Sequence, residues 1–174
     1  MERTKEENRA LCERYPFLIP WNRWSGKLIT DAQGGGYWPG APEDIPEYDW
    51  EYTEAENMPD GWWNAFGVQM CEELRDALIE DGDLQRWRIV QMKEKFGYLR
   101  LYDNGHKKDS RVSEIISKYA QISARTCIVC GKPATQITTG WISPFCDDCC
   151  INCGIGRSVP IDEYYGEDDD NGGE

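Results

Sequence analysis

Cys127-Ile-Val-Cys130-Gly131 and, after fifteen intervening residues, Cys146-Asp-Asp-Cys149 form the stretch from which the fold is most readily read. A Cys-x-x-Cys bends the backbone so that both thiolates face one point, and the glycine after the first pair permits a tight turn with φ > 0. Two such pairs give the tetrahedral four-sulfur geometry that zinc accepts, with no coordination position left open for chemistry. The gap sits at the low end of the roughly 15–20 residues usual between paired ligands. Ala134-Thr-Gln-Ile-Thr-Thr139 before Gly140 suits a strand and turn inside that gap. One structural zinc ion in a small ribbon over residues 126–160 is therefore expected. Cys150-Ile-Asn-Cys153-Gly154 has the same form. By knuckle shape it is slightly the better second pair, so the spacing alone leaves the choice open. Cys12 and Cys71 read as buried thiols.

Upstream of the cysteines the pattern is α+β over residues 1–125, with two main helices and a short antiparallel strand pair. A helix begins at Asp60, an N-cap residue, and carries Trp63, Phe66, Met70, Leu74, Ala77 and Leu78 at three- and four-residue intervals. Gly82 ends it. The period then shortens to two, from Trp87 to Met92 and again from Tyr98 to Tyr102, with Asp103-Asn-Gly105 as a turn. A further helix starts at Asp109 or Ser110 and places Val112, Ile115, Ile116, Tyr119 and Ile122 on one face. Residues 2–14 predict a short helix anchored by Leu11. Proline and glycine punctuate residues 15–60, and the segment 31–60 reads as a long acidic-aromatic loop. Residues 161–174 read as a disordered acidic tail.

Charge is unevenly placed. The chain of 174 residues has a net charge of −13. Nine acids lie in residues 31–60 and seven in residues 162–174, with no Lys or Arg in either segment. The rest of the chain has 16 acids against 19 bases, a mildly basic body with two acidic attachments. No apolar run approaches the roughly 20 residues needed to cross a bilayer, so no membrane association is expected. The polar N-terminus lacks the apolar stretch of a secretory signal, which predicts a cytoplasmic protein. Thiols stay reduced there, which favours metal ligation over disulfides.

Several runs are similar to a known family. Met58-Pro-Asp-Gly-Trp-Trp63, Gln69-Met-Cys-Glu-Glu73, Lys93-Glu-Lys-Phe-Gly97 with Leu99-Arg100, Cys127-x-x-Cys130-Gly-Lys-Pro133 and Gly140-Trp-Ile-Ser-Pro-Phe-Cys146-Asp-Asp-Cys149 carry the likeness. Together they resemble small zinc-ribbon proteins of phages, prophages and mobile elements of gut bacteria. The resemblance covers roughly residues 15–150. It implies that Cys127 and Cys130 pair with Cys146 and Cys149, and that Cys150 and Cys153 depart from the pattern. It also implies an accessory role between phage and host, of which an anti-CRISPR inhibitor of a Cas nuclease is one form.

Two functions follow as expectations. In the first, the protein binds and inhibits a basic partner, such as a Cas nuclease, through Trp38, Glu43, Asp44, Glu47, Asp49, Trp50 and Glu51. Carboxylates would occupy a phosphate-binding channel while aromatic anchors supply desolvated contact. In the second, Arg86, Arg88, Lys93, Lys95 and Arg100 on the strand pair, interleaved with Trp87, Phe96 and Tyr98, bind nucleic acid. Catalysis and a small-molecule substrate are not expected. His106 is the only histidine, in a turn between Asp103 and Asp109, and Gly34-Gly-Gly36 lacks the lysine and helix of a phosphate loop.

Overall fold

A computed structural model describes residues 3–20 and 50–166 of the chain. Helix α1 (Lys5–Arg14) is started by a reciprocal cap. The Thr4 hydroxyl accepts from the Glu7 N–H at 3.2 Å, and the Glu7 carboxylate accepts from the Thr4 N–H at 2.8 Å. The helix therefore starts at Lys5, not at residue 2. It buries Asn8 and Cys12, while Leu11 is only half-buried. Asn8 can be buried because its amide donates to the Trp50 carbonyl at 2.9 Å and to the Glu56 carboxylate at 3.1 Å.

A 3₁₀ turn (Glu54–Asn57) leads into α2 (Asp60–Trp62), a π turn (Trp63–Gly67) and α3 (Val68–Glu80). Asp60 is the first helical residue and not the cap; Pro59 holds the cap position, and no side chain caps this end. The expected stripe from Trp63 to Leu78 is buried throughout, joined by Trp62 and Cys71. Gly82, at φ +71, follows the last residues of α3 as foreseen.

Strands β1 (Ile89–Lys95) and β2 (Tyr98–Asp103) pair antiparallel. Their joining turn is Phe96-Gly97, both with positive φ, the two-residue geometry whose twist suits a hairpin. Asp103-Asn-Gly105 is a turn that leaves the hairpin, with the Gly105 N–H donating to the Asp103 carboxylate at 2.7 Å. Because β1 starts at Ile89, Arg86 and Arg88 precede the strand and do not share one of its faces. Ser110 caps α4 (Arg111–Ala124), which buries Val112, Ile115 and Tyr119. Ile122 is exposed, contrary to the expected stripe. Phe66, in the π turn before α3, stacks on Tyr119 of α4 at 5.4 Å between ring centroids.

The C-terminal part adds β3 (Gln136–Thr138), β4 (Pro144–Phe145), α5 (Asp147–Asn152), β5 (Ser158–Pro160) and α6 (Ile161–Tyr165). The strands form one antiparallel sheet in the order β4-β3-β5. Ordered structure continues past residue 160, because α6 buries Ile161 against Ala134 and Ile137. This corrects the tail boundary at 161; residues 167–174 lie outside the described residues. Among the described residues no helix is long and apolar enough to cross a membrane.

One buried acid has a consequence for stability. Glu54 is 1% exposed, and burial pushes its carboxyl up to about 7, against hydrogen bonds from the Asn57 side chain and the Met92 backbone that favour the charged form. The ordinary value is 4.5, so between 4.5 and about 7 the folded chain holds this proton more tightly than the unfolded chain. Its contribution is complete below 4.5, declines as the pH rises, and levels off above about 7. The decline is of the order of a few kcal/mol. Replacing Glu54 with Gln should leave the melting temperature near that of the native protein at pH 4.5 and raise it at pH 8. A difference that does not change with pH would show that the carboxyl is not held neutral.

Candidate metal centre and basic hairpin cleft

The first knuckle is a tight loop closed by its own backbone. The Cys127 N–H donates to the Lys132 carbonyl at 2.8 Å and the Gly131 N–H to the Cys127 carbonyl at 3.0 Å. Gly131 adopts φ +79, as the sequence predicts. The second pair straddles the start of α5, with Cys146 at the cap and Cys149 within the first turn. A hydrogen bond from the Ile128 N–H to the Pro144 carbonyl, 2.9 Å, brings the two together. The sulfur atoms of Cys127, Cys130, Cys146 and Cys149 all lie within 4.8 Å of one another. Tetrahedral bonds of about 2.3 Å place sulfurs about 3.8 Å apart. The Cys130 and Cys146 sulfurs are 3.6 Å apart, so the donor set fits a metal ion with no rearrangement of the chain.

The thiols are electrostatically unequal. Burial opposes ionisation of Cys127, but hydrogen bonds from backbone N–H groups of Cys130, Cys146 and Val129 outweigh it and bring the thiol down to about 7. Burial and the neighbouring sulfurs push Cys149 up, and burial does the same to Cys146. Several thiolates cannot share so small a space without a cation to offset their repulsion. Cys150 and Cys153 stand outside the group. The Cys150 thiol faces the Ser158 hydroxyl at 3.9 Å, and Cys153 is exposed. Geometry thus gathers Cys146 and Cys149, against the slight preference of knuckle shape for Cys150 and Cys153. Cys12 and Cys71 lie in the main core, where burial holds Cys71 as a neutral thiol.

The knuckle also docks on the helical body through Gly61, a residue that sequence reading passed over as part of a helix start. The Gly61 N–H donates to the Ile128 carbonyl at 3.1 Å. A Cβ on Gly61 would stand 2.3 Å from the Cys127 carbonyl oxygen, and one on Gly131 2.5 Å from the Gly61 carbonyl oxygen. Beside them the Trp62 indole N–H donates to the Thr126 carbonyl at 2.8 Å.

The second site lies on the hairpin. Pairing of Lys93 with Arg100, Lys95 with Tyr98 and Gln91 with Tyr102 sets these six residues on one face. Lys93, Lys95 and Arg100 form no ion pair among the described residues. They lie against aromatic rings instead: Lys93 on Tyr102 at 5.7 Å, Lys95 on Phe96 at 5.4 Å and Arg100 on Tyr98 at 5.4 Å. A cleft of about 580 Å³ opens between the edge of β2 and α4, lined by Lys95, Phe96, Arg100 and Tyr102 with Leu99 and Leu101 on the hairpin side and by residues such as Ser113, Ser117 and Gln121 on the other. Tyr102 and the α4 lip were not legible, since only packing brings α4 alongside β2.

The other expected site residues are not gathered there. Arg86 pairs with Asp83, and Arg88 donates to the Trp87 and Gln85 carbonyls. Trp87 is buried. Glu51 pairs with Lys5 at 2.8 Å, and Trp50 packs half-buried against the core. Trp38, Glu43, Asp44, Glu47 and Asp49 lie outside the described residues. His106 contacts the Asp103 carboxylate through Nδ1 at 2.7 Å. Comparisons with protein-family models, curated proteins and solved structures find no match.

Two substitutions test the centre. Cys146→Ser should cut bound metal to near zero and lower the melting temperature, whereas Cys150→Ser with Cys153→Ser should leave both unchanged. Metal retained in the first variant and lost in the second would reverse the assignment. Gly61→Ala should destabilise the protein by about 3 kcal/mol or more, because the obstructing atoms, the Cys127 carbonyl oxygen and the Ile128 carbonyl group, are all backbone. Denaturant unfolding that differs from the native protein by less than 0.5 kcal/mol would refute the docking role, about the scatter of surface substitutions.

Proposed function

We propose that the chain is a nucleic-acid-binding protein that uses the hairpin face, with Cys127, Cys130, Cys146 and Cys149 holding one structural zinc ion. The observation that carries the reading is a face with three cations and no carboxylate, with one exposed ring on it, Tyr102, and a second, Phe96, in the adjoining turn. Cations left without acids are free to meet phosphate, and each phosphate contact releases counterions from the polymer. The net charge of −13 opposes this, and the opposition is screened by salt beyond about 10 Å. The bases Arg14, Arg111, Lys118, Arg125 and Lys132 are each paired with an acid from another element. The three hairpin bases, in contrast, form no ion pair among the described residues and lie together on one face.

Zinc suits the centre because four thiolates in a tetrahedron favour a soft or borderline ion, and a closed shell leaves it only a cross-linking task. The residues do the rest. The first knuckle grips α2, and the second fixes the start of α5. Elemental analysis should find one zinc per chain, and a chelator should lower the melting temperature. Iron in its place, visible as colour, would overturn the choice of metal.

The expectation of an inhibitor of a Cas nuclease rests mainly on residues 31–49, and no described residue adds support to it. Fluorescence anisotropy with a labelled oligonucleotide separates the two readings. Native protein should bind, and affinity should fall as salt rises. Replacing Lys93, Lys95 and Arg100 with Ala should weaken binding at least tenfold and make the log–log salt slope shallower by about 2. Equal binding by the variant would remove the hairpin from the function. Capture of a Cas nuclease that survives digestion of nucleic acid, and is unchanged in the variant, would favour the acidic segments.

A further inference from the structure

The hairpin turn holds a residue that its backbone disfavours. Phe96 has φ +54 and Gly97 φ +80, the arrangement in which Asn-Gly is the preferred pair. A bulky side chain in the left-handed region is strained, and such strain persists where the side chain has a use. Phe96 is 62% exposed, so it is not there to fill the core. Tyr102, on the same cleft, is 47% exposed. Each ring has a lysine ammonium near one side.

We infer that the cleft takes an unpaired nucleic-acid strand, its bases stacked on Phe96 and Tyr102 and its phosphates met by Lys95 and Arg100 in the cleft and by Lys93 beside it on the same face, in preference to a duplex. This rests on the nucleic-acid reading above and adds the class of strand. An unpaired base offers its π face to a ring, whereas in a duplex both faces are covered by neighbouring base pairs. The aromatic part of the cleft therefore has work to do only on a single strand. The opposite lip mixes apolar Ile116 and Ala120 with Ser113, Ser117 and Gln121, whose uncharged donors and acceptors can meet base edges without repelling phosphate.

A two-stranded ribbon can also read duplex DNA by entering the major groove, and the fold argues against that mode. The groove is about 12 Å wide. Here α4 lies along the free edge of β2, with the Leu99 N–H donating to the Ser123 hydroxyl at 2.7 Å. Two strands about 4.8 Å apart with a helix about 10 Å across beside them are wider than the groove.

The test compares a labelled single-stranded oligonucleotide with its matched duplex, on the full chain. The native protein should prefer the single strand by about tenfold or more. Phe96→Asn should raise the melting temperature, because it relieves the turn, yet lower single-strand affinity. With Tyr102→Leu added, affinity should fall about tenfold or more with the salt slope unchanged and duplex binding untouched. Because the first variant is expected to be more stable, lost binding cannot be blamed on unfolding. Equal affinity for both polymers, or aromatic variants that bind as the native protein does while the Lys93, Lys95 and Arg100 variant fails, would overturn the strand preference and leave the nucleic-acid reading standing. Binding to neither polymer would sink both.

Discussion

The contact between Gly61 and the first cysteine knuckle is the constraint on which the two parts of the molecule depend. Two backbones meet there with no side chain between them, joined by the Gly61 to Ile128 hydrogen bond and flanked by the buried Trp62 to Thr126 hydrogen bond. A Cβ at either glycine would push them apart. The ribbon needs this support because its own apolar clusters are small, one around Phe145 and the cysteines and one around Ala134, Ile137 and Ile161. A unit of that size cannot bury enough surface to offset its chain entropy, so cross-linking by metal and docking on a larger core take over.

The same docking governs the hairpin. The ribbon reaches its tip, where the Trp141 indole N–H meets the Glu94 carboxylate at 3.3 Å and the Tyr165 ring packs edge-on against Tyr98 at 5.9 Å. Glu94 also accepts from the Gly97 N–H at 2.7 Å, on the face opposite Lys93 and Arg100. Alternation puts Glu94 and Asp103 on the face opposite the cations, and the cations are left together. Segregation by strand alternation makes a basic surface on an acidic protein.

Stability and use pull in different directions at two places. Phe96 occupies a turn position better suited to asparagine, and Glu54 sits in the core with its carboxyl pushed up to about 7. The first has an exposed aromatic ring to justify it. For the second, the structure shows the burial and the partners, Asn57 and Met92, and gives no functional reason.

The sequence by itself determined the local elements and the donor set. Apolar spacing located α3 and α4, turn chemistry closed α3 at Gly82, and paired cysteines with glycine marked the first knuckle, because each depends on residues near one another in the chain. It misjudged the start of α1, where the Thr4 and Glu7 cap sets the boundary at Lys5, and the cap of α2, where Pro59 and not Asp60 holds the position. The tertiary structure decided which second pair joins Cys127 and Cys130, since knuckle shape slightly favoured Cys150 and Cys153 and the path through β4 places Cys146 and Cys149 beside the first knuckle instead. It also decided which cations stay unpaired. Sequence lists Arg86, Arg88, Lys93, Lys95 and Arg100 alike, but strand register and the position of Asp83 separate them, and both are properties of packing that no local pattern encodes.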